Sequence, residues 1–121
     1  MTRDRRLIYL ICSRGRARLV THDAARDMFK TVESFTCPSG AGLASPEHFH
    51  RLVERIREHM ARARYEGLFL VAPPVEIEAL RERLERSFIV LGGLDSDATD
   101  LEEEALSSLL EPTLRTPYPE R

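Results

Sequence analysis

Four histidines, two cysteines, a few serines and a cluster of arginines are the residues whose chemistry invites a test in this chain of 121 residues. His48 and His59 share a helical face but stand three turns apart, about 16 Å. His48 and His50 point away from each other. No pair has the i,i+4 spacing of a zinc-binding helix, so the expectation is four solvated histidines and no metal site. Cys12 lies in an apolar run and reads as a small core residue. Cys37 stands at the mouth of a glycine-rich stretch, with nothing basic within a few residues to lower its pKa. The two cysteines lack the CxxC spacing of a zinc or redox motif. Ser13, Ser39 and Ser45 have no nucleophile-elbow context. With no nucleophile–base pair in view, the reading is a protein that is not an enzyme and carries no cofactor.

Two features remain as binding candidates. Ser39-Gly-Ala-Gly-Leu43 precedes a helix start, where backbone N–H groups can receive a phosphate. It lacks the Lys of a P-loop and the spacing of a dinucleotide fingerprint, so a plain flexible loop is the bland alternative. Its candidate contacts are Ser39, Gly40 and Gly42. The second feature is basic: Arg3, Arg5 and Arg6, then Arg14, Arg16 and Arg18. Arg16 and Arg18 alternate with Ala17 and Leu19, so both share one face of a strand. With Arg14 at the preceding turn they are spaced to grip successive phosphates. Only Tyr9 is near, so base stacking is not indicated, and a solvated strand face is the competing reading.

The elements that must position these residues begin with Glu66-Gly-Leu-Phe-Leu-Val-Ala-Pro-Pro74. Its unbroken apolar run, 68–72, reads as a strand buried on both faces. The prolines end the ladder because they lack the N–H, and Pro74 suits the first turn of a helix. Leu7–Cys12 is a second central strand. Ser13–Arg16 is a turn with Gly15 free to take positive φ, followed by a strand over Ala17–His22 and a loop over Asp23–Asp27. Met28–Thr36 is a third strand, with Phe29, Thr31, Glu33 and Phe35 on one side and Met28, Lys30, Val32 and Ser34 on the other. Two mixed faces suit a sheet edge.

Ser45-Pro-Glu47 opens a helix expected to run to about Tyr65, with Phe49, Leu52, Val53, Ile56, Met60 and Ala63 inward. Glu47 with Arg51 and Glu58 with Arg62 are the exposed i,i+4 pairs expected on it. The helix from Pro74 turns Ile77, Leu80 and Leu84 inward. Phe88–Leu91 reads as the fifth strand, closed by Gly92-Gly93. Thr99-Asp-Leu-Glu102 has the pattern of a capping box and opens a last helix with Leu101, Ala105, Leu106, Leu109 and Leu110 inward. From Pro112 the periodicity stops, which gives one domain over 1–111 and a flexible tail over 112–121.

Hydrophobic content of 42% and charged content of 31% are those of a soluble globular protein. The net charge of -2 hides an asymmetry: residues 1–65 hold 13 Lys/Arg against 7 Asp/Glu, and residues 66–121 hold 5 against 13. The first half can face an anion and the second cannot. The start Met-Thr-Arg-Asp-Arg-Arg is followed by too short an apolar run for a signal peptide, and no stretch is long enough to insert in a membrane. The expected setting is the cytoplasm, with reduced thiols.

The order β-β-β-α-β-α-β-α, with right-handed βα units after a meander, predicts an α/β fold. Its five-stranded mixed sheet has the order 3-2-1-4-5, strand two antiparallel and helices on both faces, as in ribonuclease-H-like folds. A nuclease of that topology needs convergent carboxylates for two metals. The runs Leu7–Cys12 and 68–72 carry none, and Glu54 or Glu58 alone cannot hold two ions.

Leu70-Val-Ala-Pro-Pro74, the following Leu80-Arg81 and the later Leu94-Asp-Ser-Asp97-Ala-Thr99 resemble the host attachment protein family, whose name refers to a protein required for attachment to host cells. Gly15-Arg-Ala-Arg-Leu-Val20 is similar to that family's Ala-Arg-Leu-Phe strand. The likeness covers about residues 7–110. It departs at Ser13, where Asp or Asn is common, at Ser96 and Ala98, which replace Lys and Leu, and in a nearly absent insertion after strand three. That family in turn resembles the middle domain of archaeal and eukaryotic peptide-chain release factors, whose loop between strand three and the first helix carries Gly-Gly-Gln. Here Gly40-Ala-Gly42-Leu43 stands in that place without the glutamine.

The resemblance therefore implies a component of the translational machinery without peptidyl-tRNA hydrolysis, binding RNA or a ribosome-associated partner through Arg14, Arg16, Arg18 and residues 38–44. The alternative it implies is a protein-interaction factor that affects attachment to host cells. The oligomeric state, a homo-oligomer included, is left open by the sequence.

Overall fold

The structure, a computed structural model, describes residues 6–13, 15–23, 25–36 and 46–115. Strands β1 (Leu7–Ser13), β2 (Arg16–Asp23) and β3 (Met28–Thr36) precede helix α1 (Pro46–Arg62). Then come β4 (Gly67–Ala72), α2 (Pro74–Leu84), β5 (Val90–Asp95) and α3 (Glu103–Arg115). The five strands form one mixed sheet in the order β3-β2-β1-β4-β5. β2 is antiparallel to both β1 and β3, while β1, β4 and β5 run parallel. This is the α/β arrangement expected from the sequence.

β1 is buried along its whole length. Ile8, Leu10 and Cys12 face Leu52 and Ile56 of α1 and Ile77, Leu80 and Leu84 of α2. Leu7, Tyr9 and Ile11 face Leu106 and Leu110 of α3. An apolar residue at every position of a strand is what two covered faces require. The Tyr9 ring meets Phe29 edge-on at 5.3 Å and Phe69 at 5.4 Å, contacts worth about 0.5–1.5 kcal/mol each beyond burial.

Gly15 takes φ 79° in the tight β1–β2 connection, a backbone state that costs glycine nothing. Pro73 caps α2 and Pro74 is its first residue.

Several elements differ from the expectation. β3 does not keep one set of side chains on one face. Leu19 pairs with Glu33 but Val20 pairs with Thr31, so Val32 is an extra residue. That insertion turns Phe29 and Thr31 toward α3 and sends Glu33 and Phe35 to the α1 side. β5 begins at Val90 and runs through Gly92 and Gly93 to Asp95 instead of stopping at the glycines. α1 ends at Arg62, three residues short of Tyr65, and Glu58 pairs with Arg55, not with Arg62. α3 starts at Glu103, Ala105 is exposed, and the helix continues through Pro112 to Arg115. Among the described residues no helix is long and apolar enough to cross a membrane.

Candidate functional site

β3 and β1 are both antiparallel to β2, so β1, β3, β4 and β5 all end on one side of the sheet, at Ser13, Thr36, Ala72 and Asp95. Arg16 opens β2 at that same edge and is flanked by Ser13 on one side and Thr36 on the other. Segment 37–45 starts from Thr36, beside Arg16. From β1 the chain turns toward β2, and from β4 it turns toward β5. The crevice outside that divergence is where open α/β sheets place ligands. Ser13 lies there, 2% exposed, and its Oγ has no hydrogen-bond partner. A buried hydroxyl left without a partner is uncommon because it forgoes the hydrogen bonds water gave it.

Strand alternation puts Arg16 and Arg18 on one face, as their spacing predicts, but the two side chains have different surroundings. Arg18 is half-buried. Its Nε and Nη2 donate to Thr31 Oγ1 at 3.2 and 2.7 Å, and its Nη1 donates to the carbonyls of Thr99 and Leu101 at 3.2 and 2.7 Å. That guanidinium ties β2 to the connection before α3 and is not presented to a phosphate. Arg16 is 46% exposed and pairs with Asp100, which is 76% exposed. Its Nη2 also donates to Thr99 Oγ1 at 3.4 Å, and the Thr99 hydroxyl donates to Asp97 Oδ1 at 3.2 Å. The Thr99 hydroxyl is engaged by Arg16 and Asp97 and caps no helix; α3 begins four residues later, at Glu103. Arg14, Ser39, Gly40 and Gly42 lie outside the described residues, as do Cys37 and Ser45.

A second polar cluster was not visible in sequence. Glu33 of β3 accepts two hydrogen bonds from Arg55, from Nε at 2.7 Å and Nη2 at 2.8 Å, and meets His59 Nε2 at 2.9 Å. Arg55 also holds Glu58. The Arg55 guanidinium draws the Glu33 carboxyl below its ordinary range, burial opposes it, and His59 adds to the lowering. The expectation of four solvated histidines therefore fails at two. The His59 side chain is nearly buried against Glu33, and His22 packs on Phe29 at 4.9 Å while bonding Asp27. The partners stand 22 and 26 residues apart in the chain and meet only because the Val32 insertion turns Glu33 toward α1. No local pattern announces such a meeting.

Among the described residues no group of three His, Cys, Asp or Glu side chains gathers closely enough to hold a metal ion. No protein-family model matches the chain, and no curated protein matches it.

Proposed function

We propose that this chain is a binding module without chemistry of its own, resembling the release-factor middle domain and the host attachment proteins, and that it binds RNA at the carboxyl end of its sheet. The observation that carries the reading is the position of Arg16, an exposed cation beside Thr36, from which segment 37–45 leaves. The release-factor resemblance assigns its contact to the segment in that place. Arg16 is the exchangeable cation of the surface. Arg18 serves it indirectly by fixing the backbone nearby. Ribosomal RNA is the partner class that the resemblance suggests.

The reading predicts co-sedimentation with ribosomes at low salt, weakening at moderate salt because phosphate contacts release counterions. Arg16→Glu should abolish it. Absence of the wild-type protein from the ribosomal pellet, or pelleting that ignores Arg16→Glu, overturns it.

A protein-interaction factor is the second reading, and one observation favours it. Asp100 pairs with Arg16 and Asp97 holds the Thr99 hydroxyl that Arg16 also reaches, and Asp95, Glu102, Glu103 and Glu104 lie in the same stretch of chain. A surface of mixed sign suits a protein partner better than a bare phosphate chain.

A further inference from the structure

The stretch that meets β2 from the far end of the chain does two separable things. Its backbone is anchored: Ala98 is fully buried in the core under α3, and Arg18 holds the carbonyls of Thr99 and Leu101. Its side chains are not anchored in the same way. Asp100 reaches Arg16 with both groups exposed to solvent, a kind of pair that water and salt screen and that exchanges readily. The carboxylate therefore occupies the one described arginine of the strand face that faces outward. It does so from a backbone that need not move when the carboxylate leaves.

We propose that Asp100 is a built-in competitor for Arg16, a carboxylate standing where an incoming phosphate would sit, so that occupancy of the surface requires a swap of one anion for another. The inference rests on the RNA reading above and adds to it an autoinhibitory contact. Asp97 supports the device by receiving the Thr99 hydroxyl, which leaves the Thr99 oxygen to accept from Arg16 and keeps the guanidinium near Asp100. The exchange is confined to side chains.

The test is binding of a fluorescently labelled oligouridine by anisotropy at low salt, with the full chain and the variants Asp100→Asn, Arg16→Ala and the two combined. Asp100→Asn is expected to tighten binding about three- to tenfold, the scale of one charge pair in contact with water. The gain should vanish in the Arg16→Ala background. Thermal melts of all four proteins verify that the fold is kept. Unchanged affinity of Asp100→Asn, with wild-type binding intact, overturns the competitor and leaves the RNA reading standing. An equal gain in the Arg16→Ala background also overturns it, because the effect is then one of general charge. If neither wild type nor Asp100→Asn binds, the RNA reading falls and the competitor falls with it.

Discussion

Arg16 and Arg18 stand two residues apart on one strand face, yet only one of them faces outward. Arg18 satisfies the Thr31 hydroxyl and two carbonyls in a half-buried setting. Its replacement leaves those acceptors without a donor. Arg18→Met is therefore expected to cost about 1.5–3 kcal/mol of stability in urea unfolding, the range for hydrogen bonds to a charged group. Arg16→Ala should change stability by less than about 1 kcal/mol, as exposed ion pairs do. Glu33 is the residue whose protonation matters to the fold. Its carboxyl is held below the ordinary value of 4.5, so its contribution is fully present above that value and is lost as pH falls through the lowered one. The stability difference between wild type and Glu33→Gln should accordingly be largest near neutrality and close as the pH drops below 4.5. A difference that stays constant with pH would show that the carboxylate's charge is irrelevant. Sequence gave Arg16 and Arg18 their shared face through strand alternation. It could not give their partners, because Thr99, Asp100 and Leu101 lie about eighty residues away.

At the scale of elements, both edge strands carry a one-residue irregularity. Val32 is extra in β3, and Leu91 is extra in β5, where Leu68 pairs with Val90 and Phe69 with Gly92. Such insertions interrupt the ladder and discourage edge-to-edge pairing. α3 adds to this at β3, where the Phe29 N–H donates to Ser107 Oγ at 3.1 Å. Close approach between β4 and β5 explains a glycine on each strand. A Cβ on Gly92 would lie 2.8 Å from the Phe69 ring, and one on Gly67 would lie 2.5 Å from the Ile89 carbonyl oxygen. Gly67→Ala meets backbone and should cost about 1–3 kcal/mol. Gly92→Ala meets a side chain, so Phe69→Leu in the same molecule should recover part of its loss, which a double-mutant cycle in urea measures. The sequence presented Gly92-Gly93 as a strand terminus because glycine weakens strands and marks turns. The Phe69 ring overrides that tendency. Pro112 misled in the same way: Tyr9 Oη and Thr113 Oγ1 meet at 2.7 Å, and that tertiary contact accompanies a helix that continues past a residue able to break it.

For the whole molecule, the strand order was legible because the two all-apolar runs had to be central and the mixed third strand had to be peripheral. Burial on both faces leaves a clear mark in composition. The carboxyl end of the sheet was legible only in part. Sequence named Arg16 and residues 38–44 as candidate contacts, but not Ser13 as a buried hydroxyl there, nor the acidic stretch that comes back to β2. The two halves of opposite charge meet at one ion pair on this face, where Asp100 of the second half reaches Arg16 of the first.

RNA, and not a protein, is the partner proposed for this surface. The most direct measurement is capture of partners from native lysate on the immobilised chain, with and without RNase treatment. Under that proposal, ribosomal RNA and its proteins appear in the untreated eluate and are lost after RNase. Association that survives RNase, or an untreated eluate without ribosomal RNA, would contradict it.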